Sequence, residues 1–435
     1  MIKSFFLILL FSLNAQALQI LQPKNDYKIV KQQLGQSSTT QSLSSEQLLT
    51  QLEKSAKSGN ARAQFSLANI HQKGINVKAD PRLAFYWYSQ VAKQGYPNAQ
   101  FIVAKDYHQG INANKDLEVA LQWYEKSAEQ DFVNAQYQLA TMYALGDEVA
   151  IDNTRAYEWY ERAAQLGHEQ SQLIVAKRYD FGIDVAKNPI LAKNWYEKAV
   201  KQGGAQAQYY LANFYEREGS VNKAINLYKM SANQGFSVAQ SYLANLYYQG
   251  YLVNQDDAKA FYWALLAGNQ GDVHAQFLLG LLYRQSIQIK RDLSKAVDWY
   301  QKAVDQNYAQ AQYNLAVLYL KGTGVKKDID RAIALFKKSA DQGYAKSQYA
   351  LAQRYLRGEG LEQDEKKAVE WLLKAAEGGH ALAQYTLALS YKLAQGVEKD
   401  IEQEAFWYQK SANQGNLEAK YQLALLLIKG QGVEK

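Results

Sequence analysis

The chain has 435 residues, of which 48% are hydrophobic and 21% are charged, so it can bury a large core and is neither disordered nor fibrous. It contains no cysteine, which excludes disulfides, thiolate metal sites and a cysteine nucleophile. A formal net charge of +7 over this length does not form the concentrated basic footprint of a nucleic-acid-binding protein, so no nucleic-acid partner is expected.

The first segment of the chain predicts export. Lys3 precedes an apolar stretch from Phe5 to Leu13, and the Ala-Gln-Ala tripeptide at 15–17 supplies the small residues typical of a signal-peptidase site. The apolar stretch is too short to span a bilayer. An uncleaved anchor or a buried helix is the alternative. We therefore expect residues 1–17 to be a signal peptide and the mature protein to be periplasmic or secreted, with no membrane span after cleavage.

A polar segment follows. Residues 18–44 are predicted to be a flexible linker, because the stretch from about Lys31 has few side chains that could be buried. Ser44 and Gln47 resemble a capping box that opens a helix, so the folded part is predicted to cover residues 45–435.

From that point onward the sequence repeats with a period of 36 residues. A Leu-Ala pair and usually a tyrosine follow each repeat's Ala-Gln or Ser-Gln pair at helical spacing, which predicts a helix, termed helix A, with an alanine-rich contact face. The pairs begin at 63, 99, 135, 171, 207, 239, 275, 311, 347 and 383, with Ala419-Lys420 as an eleventh. Every step is 36 residues except one of 32, so the length-based expectation of about three separate domains gives way to one array.

Each repeat also carries the signals of a second helix, termed helix B. Glycine ends most A helices, for example Gly74 and Gly110, and an Asp or Asn in one frame position can cap helix B. All eight tryptophans fall at a single further position, which predicts a packing role. They are Trp87, Trp123, Trp159, Trp195, Trp263, Trp299, Trp371 and Trp407. Glycine, or Asp131 and Asn307 in its place, closes helix B.

One such helix pair cannot bury its own apolar face, so neighbouring pairs must stack into a solenoid. The pattern AQxxLAxxYxxGxxVxxDxxxAxxWYxKAAxQG resembles the Sel-1-like repeat (SLR) family, which is related to the tetratricopeptide repeat. The resemblance implies an all-α, right-handed α-solenoid of about ten to eleven helix-turn-helix repeats, with helices A lining a concave groove. It also implies an adaptor or scaffold role; secreted bacterial members are linked to envelope biogenesis, exopolysaccharide export, cell-wall enzyme regulation and host interaction.

The repeat frame has irregular places. The repeat at 207–238 is four residues short, and both ends of the array are half repeats, with residues 45–58 as a lone helix B. Residues 425–428 (Leu-Leu-Leu-Ile) on the last helix A are expected to leave an apolar end face. A missing C-terminal piece, a covering partner or second copy, and local packing are three open explanations.

The sequence offers little for catalysis, and neither enzymatic activity nor a cofactor is expected. The five histidines have no paired metal-ligand spacing, and four of them are interpreted as loop or helix-surface residues, while His71 takes a tyrosine position. Gly-x-Gly pairs such as Gly322-Thr-Gly324 are interpreted as helix-ending turns rather than phosphate loops. Ser220-Val-Asn-Lys223 matches a penicillin-recognising motif, but Ser220 is also a natural N-cap.

The candidate binding face comes from helix A. The residue directly after the Ala-Gln pair, termed the ring position, projects toward the groove in tetratricopeptide-like arrays. Rings here either stack on sugars or grip a peptide, or they simply fill gaps between A helices. The position is aromatic in nine of eleven repeats, at Phe65, Phe101, Tyr137, Tyr209, Phe277, Tyr313, Tyr349, Tyr385 and Tyr421.

Four residues further on, the groove position changes character along the chain. It is polar or charged in the first six repeats, as in Asn69, and mostly apolar afterwards, at Leu281, Val317, Leu389 and Leu425. Near the end of helix A, basic residues form either a stripe or a solvated face; they are Arg217, Arg284, Lys321, Arg357, Lys392 and Lys429. Both features suit an amphipathic, acidic helix of a partner.

These observations predict a non-catalytic protein-interaction scaffold in the bacterial cell envelope, with one or more envelope proteins as partners. The alternative is direct binding of peptidoglycan or exopolysaccharide by the aromatic groove, and a second alternative is a penicillin-recognising hydrolase. The sequence leaves the oligomeric state open.

Overall fold

The computed structural model describes residues 45–147 and 149–430, and all regular secondary structure in them is α-helical. The predicted signal peptide, the predicted linker and Ser44 lie outside the described residues. The first eleven helices are α1 (Ser45–Lys57), α2 (Ala61–Lys73), α3 (Pro81–Lys93), α4 (Pro97–Gln109), α5 (Leu117–Ala128), α6 (Val133–Leu145), α7 (Asn153–Gln165), α8 (Glu169–Phe181), α9 (Pro189–Lys201), α10 (Ala205–Arg217) and α11 (Val221–Asn233). The remaining eleven are α12 (Ser237–Gln249), α13 (Asp257–Asn269), α14 (Val273–Gln285), α15 (Leu293–Asp305), α16 (Ala309–Lys321), α17 (Ile329–Asp341), α18 (Ala345–Arg357), α19 (Glu365–Glu377), α20 (Ala381–Leu393), α21 (Ile401–Asn413) and α22 (Leu417–Lys429).

Even-numbered helices are the predicted A helices and odd-numbered helices are the predicted B helices. The chain divides between Trp195 and Tyr196, inside α9, into two compact units, termed unit 1 and unit 2. Within each unit, a helix packs mainly against the helix before it and the helix after it. Each unit is therefore an α-solenoid of stacked helix pairs, as the repeat predicts.

The predicted caps explain where the helices begin and end. Asp80 Oδ1 accepts a hydrogen bond of 3.0 Å from the backbone N–H of Leu83, and Asp or Asn caps helix B in the same way in every other full-length repeat. Gly74 ends α2 in the left-handed region at φ 67°. The sequence did not predict that Ala394 ends α20 in the same conformation, at φ 55°.

A second backbone contact closes the loop between helix A and helix B. The N–H of the capping residue donates to the carbonyl nine residues earlier, as from Asp116 to Tyr107 (3.0 Å) and from Asp80 to His71 (2.9 Å). His71 thus takes the tyrosine's place in the loop contact. In the shortened repeat the same contact spans only five residues, from Ser220 to Tyr215.

The cores of both units are built from small residues of helix A and rings of helix B. Alanines such as Ala104 and Ala316 are fully buried, and so are the helix B tyrosines Tyr124 and Tyr300. Three tryptophans, including Trp87, are buried, and the other five are partly buried. The predicted packing role of the tryptophan position is confirmed, since Trp123 and Trp371 also pack against these cores.

A ladder of glutamines joins successive repeats. Gln64 donates through Nε2 to the carbonyl of Ala56 (2.9 Å), and its Oε1 accepts from Gln94 Nε2 (2.7 Å), at the end of the next helix B. The second contact recurs at Gln100, Gln208, Gln240, Gln276, Gln312 and Gln384. The glutamine of the Ala-Gln pair therefore satisfies a buried carbonyl and binds the following repeat.

The last described helix is α22, and one of its faces is apolar and exposed. Leu426 is buried and Leu425 is partly buried, whereas Leu427 and Ile428 are exposed. Ala424 is also exposed, although its equivalents in the preceding repeats, such as Ala388, are fully buried. The predicted apolar end face is therefore present.

Candidate functional site

The candidate site is the A-helix face, defined by the ring positions and groove positions of the even-numbered helices. Most aromatic rings on this face pack against the aromatic side chain of helix B in their own repeat. The centroid distance from Phe65 to Tyr88 is 5.4 Å, and from Tyr313 to Phe336 it is 5.7 Å. The same pairing occurs at Phe101, Tyr137, Tyr209, Phe277 and Tyr385.

Most of these rings also contact the following repeat. Phe101 packs on Phe132 at 5.4 Å and Phe277 packs on Tyr308 at 5.3 Å, each partner lying just before the next helix A. The ring positions from Phe65 to Tyr385 are therefore only partly exposed, while Tyr421 on α22 is 63% exposed. The rings fill gaps between helices, and their use as a ligand platform stays a prediction.

The groove position decides how the helix B tyrosine is satisfied. Tyr88 donates its hydroxyl to Asn69 Oδ1 at 2.9 Å, and Tyr160 lies 3.2 Å from Thr141 Oγ1. The hydroxyls of Tyr300 and Tyr408 are buried with no partner within the described structure, because Leu281 and Leu389 occupy their groove positions. Between them, Val317 faces Phe336, which has no hydroxyl. From Leu281 onward, except at Gln353, the loss of polarity at the groove position thus extends into the core.

Burial keeps these phenols protonated. Desolvation, followed by the nearby charge of Asp106, raises the pKa of Tyr88 to about 12. Burial likewise raises the pKa of Tyr300. The phenols are therefore neutral at pH 7, where they act as hydrogen-bond donors or as apolar rings.

The predicted basic stripe separates into two kinds of residue. Arg284 Nη1 donates to Asn314 Oδ1 at 2.8 Å and Lys392 Nζ donates to Gln422 Oε1 at 2.7 Å, so both tie one helix A to the next. Lys321 and Arg357 are exposed at the ends of α16 and α18. Lys321 lies one helical turn after Val317, whereas Arg357 lies one turn after Gln353 and its Nη1 is 3.9 Å from Glu359 Oε1.

The sequence did not predict that Glu216 of the shortened repeat is hydrogen-bonded by two tyrosines. The Glu216 carboxylate accepts hydrogen bonds from the hydroxyls of Tyr228 (2.6 Å) and Tyr242 (2.8 Å). Burial first, then the bond to Glu216, raises the pKa of Tyr228. Glu216 and Tyr228 both lie in the repeat that is four residues short, where Leu227 replaces the tryptophan of the Trp-Tyr pair and Tyr228 keeps its tyrosine.

Two histidines have a role that the sequence interpretation missed. His168 and His380 are N-caps of α8 and α20, because their Nδ1 atoms accept from the backbone N–H groups of Ser171 and Ala383, each at 3.2 Å. They also pack on Tyr137 and Tyr349 at 4.5 and 4.7 Å. Both lie in loops, as predicted, but their capping role was not predicted; their frame position, which holds Asn60, Asp272 and Asn416 in other repeats, was the available signal.

Ser220 precedes α11, but its side chain makes no capping hydrogen bond, so the predicted N-cap interaction is absent. Gly322 and Gly358 end helices in the left-handed region, which confirms that these Gly-x-Gly pairs are turns. Within residues 45–147 and 149–430, no group of three His, Asp or Glu side chains could hold a metal ion.

Stacked pairs of A and B helices, with the ring and groove positions on the A-helix face, define an α-solenoid repeat protein. The Sel1 repeat model matches this chain eleven times, at residues 61–96, 97–132, 133–168, 170–204, 205–236, 237–272, 273–308, 309–344, 345–380, 381–416 and 417–435. The chain therefore belongs to the Sel1 repeat family, whose members are generally protein-interaction scaffolds and typically non-catalytic.

Two solved structures are similar to it. A protective antigen of uropathogenic Escherichia coli strains, which displays an SLR fold, is 35% identical with a TM-score of 0.75, and the match covers 89% of this chain and 84% of that chain. A Sel1 repeat protein from Oxalobacter formigenes is 26% identical with a TM-score of 0.57, over 74% of this chain and 99% of that chain. No curated protein matches.

Proposed function

We propose that this protein is a non-catalytic scaffold of the bacterial cell envelope that binds an envelope protein on the A-helix face of unit 2. The observation that carries the proposal is the groove position in the later repeats of unit 2, which holds Leu281, Val317 and Leu389, with Gln353 between the last two. Their repeat equivalents in unit 1 are polar or charged. The repeat therefore does not need apolar residues there for folding, which favours a binding role.

The partner is an amphipathic helix with an acidic side. Its apolar side would lie along the groove positions, and its carboxylates would meet the exposed cations of Lys321 and Arg357. Charge complementarity of this kind speeds association and sets the orientation of the helix. A groove of stacked A helices suits an extended helical ligand better than a small substrate.

The test uses substitutions that the chain already tolerates elsewhere. Leu281→Asn with Leu389→Asn copies the groove positions of Asn69 and Asn213, and it gives the buried hydroxyls of Tyr300 and Tyr408 an acceptor. Partner proteins are captured from envelope extract and identified, and each is then purified and titrated calorimetrically. The double variant should bind the purified partner at least about tenfold more weakly while remaining as stable as the wild type.

Met230→Lys is the matched control, because Met230 is exposed on helix B of unit 2, where the preceding repeat has Lys198. It should bind normally. Unchanged affinity of the double variant would place the site elsewhere. Co-sedimentation with purified peptidoglycan that survives the double substitution would favour the glycan alternative.

A further inference from the structure

We propose that α22 pairs with α22 of a second copy of this chain, antiparallel and about a two-fold axis. The surface is a row of four exposed residues on α22, termed the α22 stripe: Leu417, Tyr421, Ala424 and Ile428. The exposed fractions of Leu417, Tyr421 and Ile428 are 71%, 63% and 82%. At about 100° of rotation per residue, the four positions lie within about 60° of arc, so they form one row along the helix.

The rest of unit 2 holds α22 in place. Ala419, Leu423 and Leu426, on the side opposite the stripe, are buried. Gln422 Oε1 accepts a hydrogen bond of 2.7 Å from Lys392 Nζ, which ties α22 to α20. The stripe therefore projects from a fixed helix and would bind without the ordering cost of a mobile segment.

A further repeat of the same frame does not fit as the occupant of this face. Each A helix from α2 to α20 holds a buried glutamine directly after an alanine or serine. At seven of these glutamines, Oε1 accepts from a glutamine of the next repeat. In α22 the position holds Lys420, whose side chain is exposed and whose ammonium group has no acceptor atom. The ladder contact to a following repeat therefore cannot form at α22.

The fold does not need large apolar residues at the two ends of the stripe. The frame position of Leu417 holds only alanine, serine or valine in the other A helices of unit 2. The frame position of Ile428 holds Lys392 in α20 and a partly buried leucine in α16 and α18. Since α20 forms with Ala381 and Lys392 at these places, the exposed Leu417 and Ile428 serve binding rather than folding.

The spacing of the stripe identifies a second copy as the occupant. Its residues are 4, 3 and 4 positions apart, so the row has the same spacing from either end. In an antiparallel pair, Leu417 lies opposite the partner's Ile428, and Tyr421 lies opposite the partner's Ala424. Each tyrosine ring then faces the smallest side chain of the stripe, which fills the space between the helices. A parallel pair would place the two Tyr421 rings against each other and leave a gap at Ala424.

The charges beside the stripe suit this orientation. Glu418 and Lys429 are exposed on one flank of the stripe, near opposite ends of α22. Equal flanks meet in an antiparallel pair about a two-fold axis, so each Glu418 lies near the partner's Lys429, and two ion pairs orient the helices. Lys420, on the other flank, has a long side chain that keeps its ammonium group in solvent.

Sedimentation equilibrium of the full-length protein tests this inference. The contact is one pair of helices about 20 Å long, so association should be weak and concentration-dependent. The weight-average mass should rise from that of one copy at about 1 μM toward that of two copies at about 100 μM. Leu417→Ala with Ile428→Lys copies Ala381 and Lys392 of α20, so the helical circular dichroism should be unchanged. Its dissociation constant should be at least about tenfold higher.

Met230→Lys is the matched control, because Met230 is exposed on helix B of unit 2 and away from α22. It should associate like the wild type. A charge exchange tests the orientation: Glu418→Lys alone should weaken association, because it faces the partner's Lys429, and Glu418→Lys with Lys429→Glu should restore it.

A wild type that stays monomeric at about 100 μM, or a Leu417→Ala, Ile428→Lys variant that associates as well as the wild type, overturns the proposal. A mass that grows beyond two copies would indicate end-to-end chains and overturn the two-fold pair. A charge exchange that fails to restore association, with circular dichroism unchanged, overturns the antiparallel orientation.

Discussion

At the residue scale, the hydroxyl of the helix B tyrosine depends on one side chain of helix A. Where the groove position holds Asn213, Tyr228 donates to it at 2.6 Å and also to Glu216. Where it holds Leu281, the hydroxyl of Tyr300 is buried without a partner within the described residues. A buried hydroxyl with no partner costs free energy. Removal of the hydroxyl should therefore have opposite effects on stability at Tyr300 and at Tyr228.

Tyr300→Phe should leave the free energy of unfolding unchanged or raise it by about 1 kcal/mol, because it removes an unsatisfied polar group. Tyr228→Phe should lower it by about 1–3 kcal/mol, because it leaves the buried side of Glu216 with fewer donors. Urea denaturation of both variants measures the difference. Equal destabilisation of the two would show that the Tyr300 hydroxyl has a partner in solution.

Ala394 has a strained backbone conformation at a frame position that holds glycine in most other repeats. It ends α20 at φ 55°, where an L residue with a Cβ is disfavoured. Ala394→Gly should raise the free energy of unfolding by about 0.5–1 kcal/mol. Gly358→Ala is the mirror control: its Cβ would have only ordinary contacts, so a loss of about 1 kcal/mol would come from the backbone alone. A stabilising Gly358→Ala would contradict this explanation.

His168 makes the stability of unit 1 depend on pH. Burial lowers the pKa of His168 to about 4 in the folded state, from about 6.5 in the unfolded chain. Between those values the unfolded state binds the extra proton, so the free energy of unfolding falls as the pH is lowered from 6.5 to 4, by up to about 3 kcal/mol, and the loss is complete below 4.

His168→Asn should remove that loss and keep the helix cap, because Asn60 and Asn416 cap helices at the same frame position. Thermal melts of the wild type and the variant at a series of pH values measure the difference. The two curves should separate below pH 6.5. Curves that stay parallel down to pH 4 would mean that His168 titrates normally in the fold.

At the element scale, the glutamine ladder shows how one helix pair holds the next. Within the described residues, two of its acceptors have no donor. Gln136 Oε1 and Gln348 Oε1 are buried without a partner there, and Leu166 and Gly378 occupy the positions where a glutamine would donate to them. At both places the missing glutamine donor coincides with an acceptor that has no partner among the described residues. This indicates that the acceptor is satisfied by that glutamine and by no other group.

Leu166→Gln should restore the rung to Gln136 and raise the free energy of unfolding by about 1 kcal/mol. Gln130→Leu is the converse change, since Gln130 Nε2 donates to Gln100 Oε1 at 2.8 Å. It should lower the free energy of unfolding by about 1–2 kcal/mol. Denaturation curves check both, and a neutral Gln130→Leu would show that the rungs contribute nothing.

The elements themselves were largely predictable from sequence, whereas contacts between repeats were not. Asp80 and Gly74 act through their own backbone neighbourhood, so a cap or a helix end follows from local pattern. The packing of Phe101 on Phe132 and of His168 on Tyr137 depends on the approach of a neighbouring repeat. Ser220 directly precedes α11, as predicted. Among the described residues its side chain does not make the predicted capping hydrogen bond, because the shortened loop changes the backbone before α11.

At the scale of the whole molecule, one repeat frame carries different side chains at the groove position. They are polar or charged from Asn69 to Asn245, and they are Leu281, Val317 and Leu389 in the later repeats of unit 2, with Gln353 between the last two. The frame therefore holds polar residues at this position, as Asn69 demonstrates. This internal comparison separates residues needed for folding from candidate binding residues, and it could be made from sequence only after the frame was assigned to helices.

The central claim, that unit 2 binds a protein on its A-helix face, is tested most directly by site-specific photo-cross-linking in cells that make the protein. A photoreactive amino acid at Val317, at an apolar groove position, should give one discrete adduct with an envelope protein. The same amino acid at Met230, exposed on helix B, should give none. No adduct at Val317, or equal adducts at both positions, would contradict the claim.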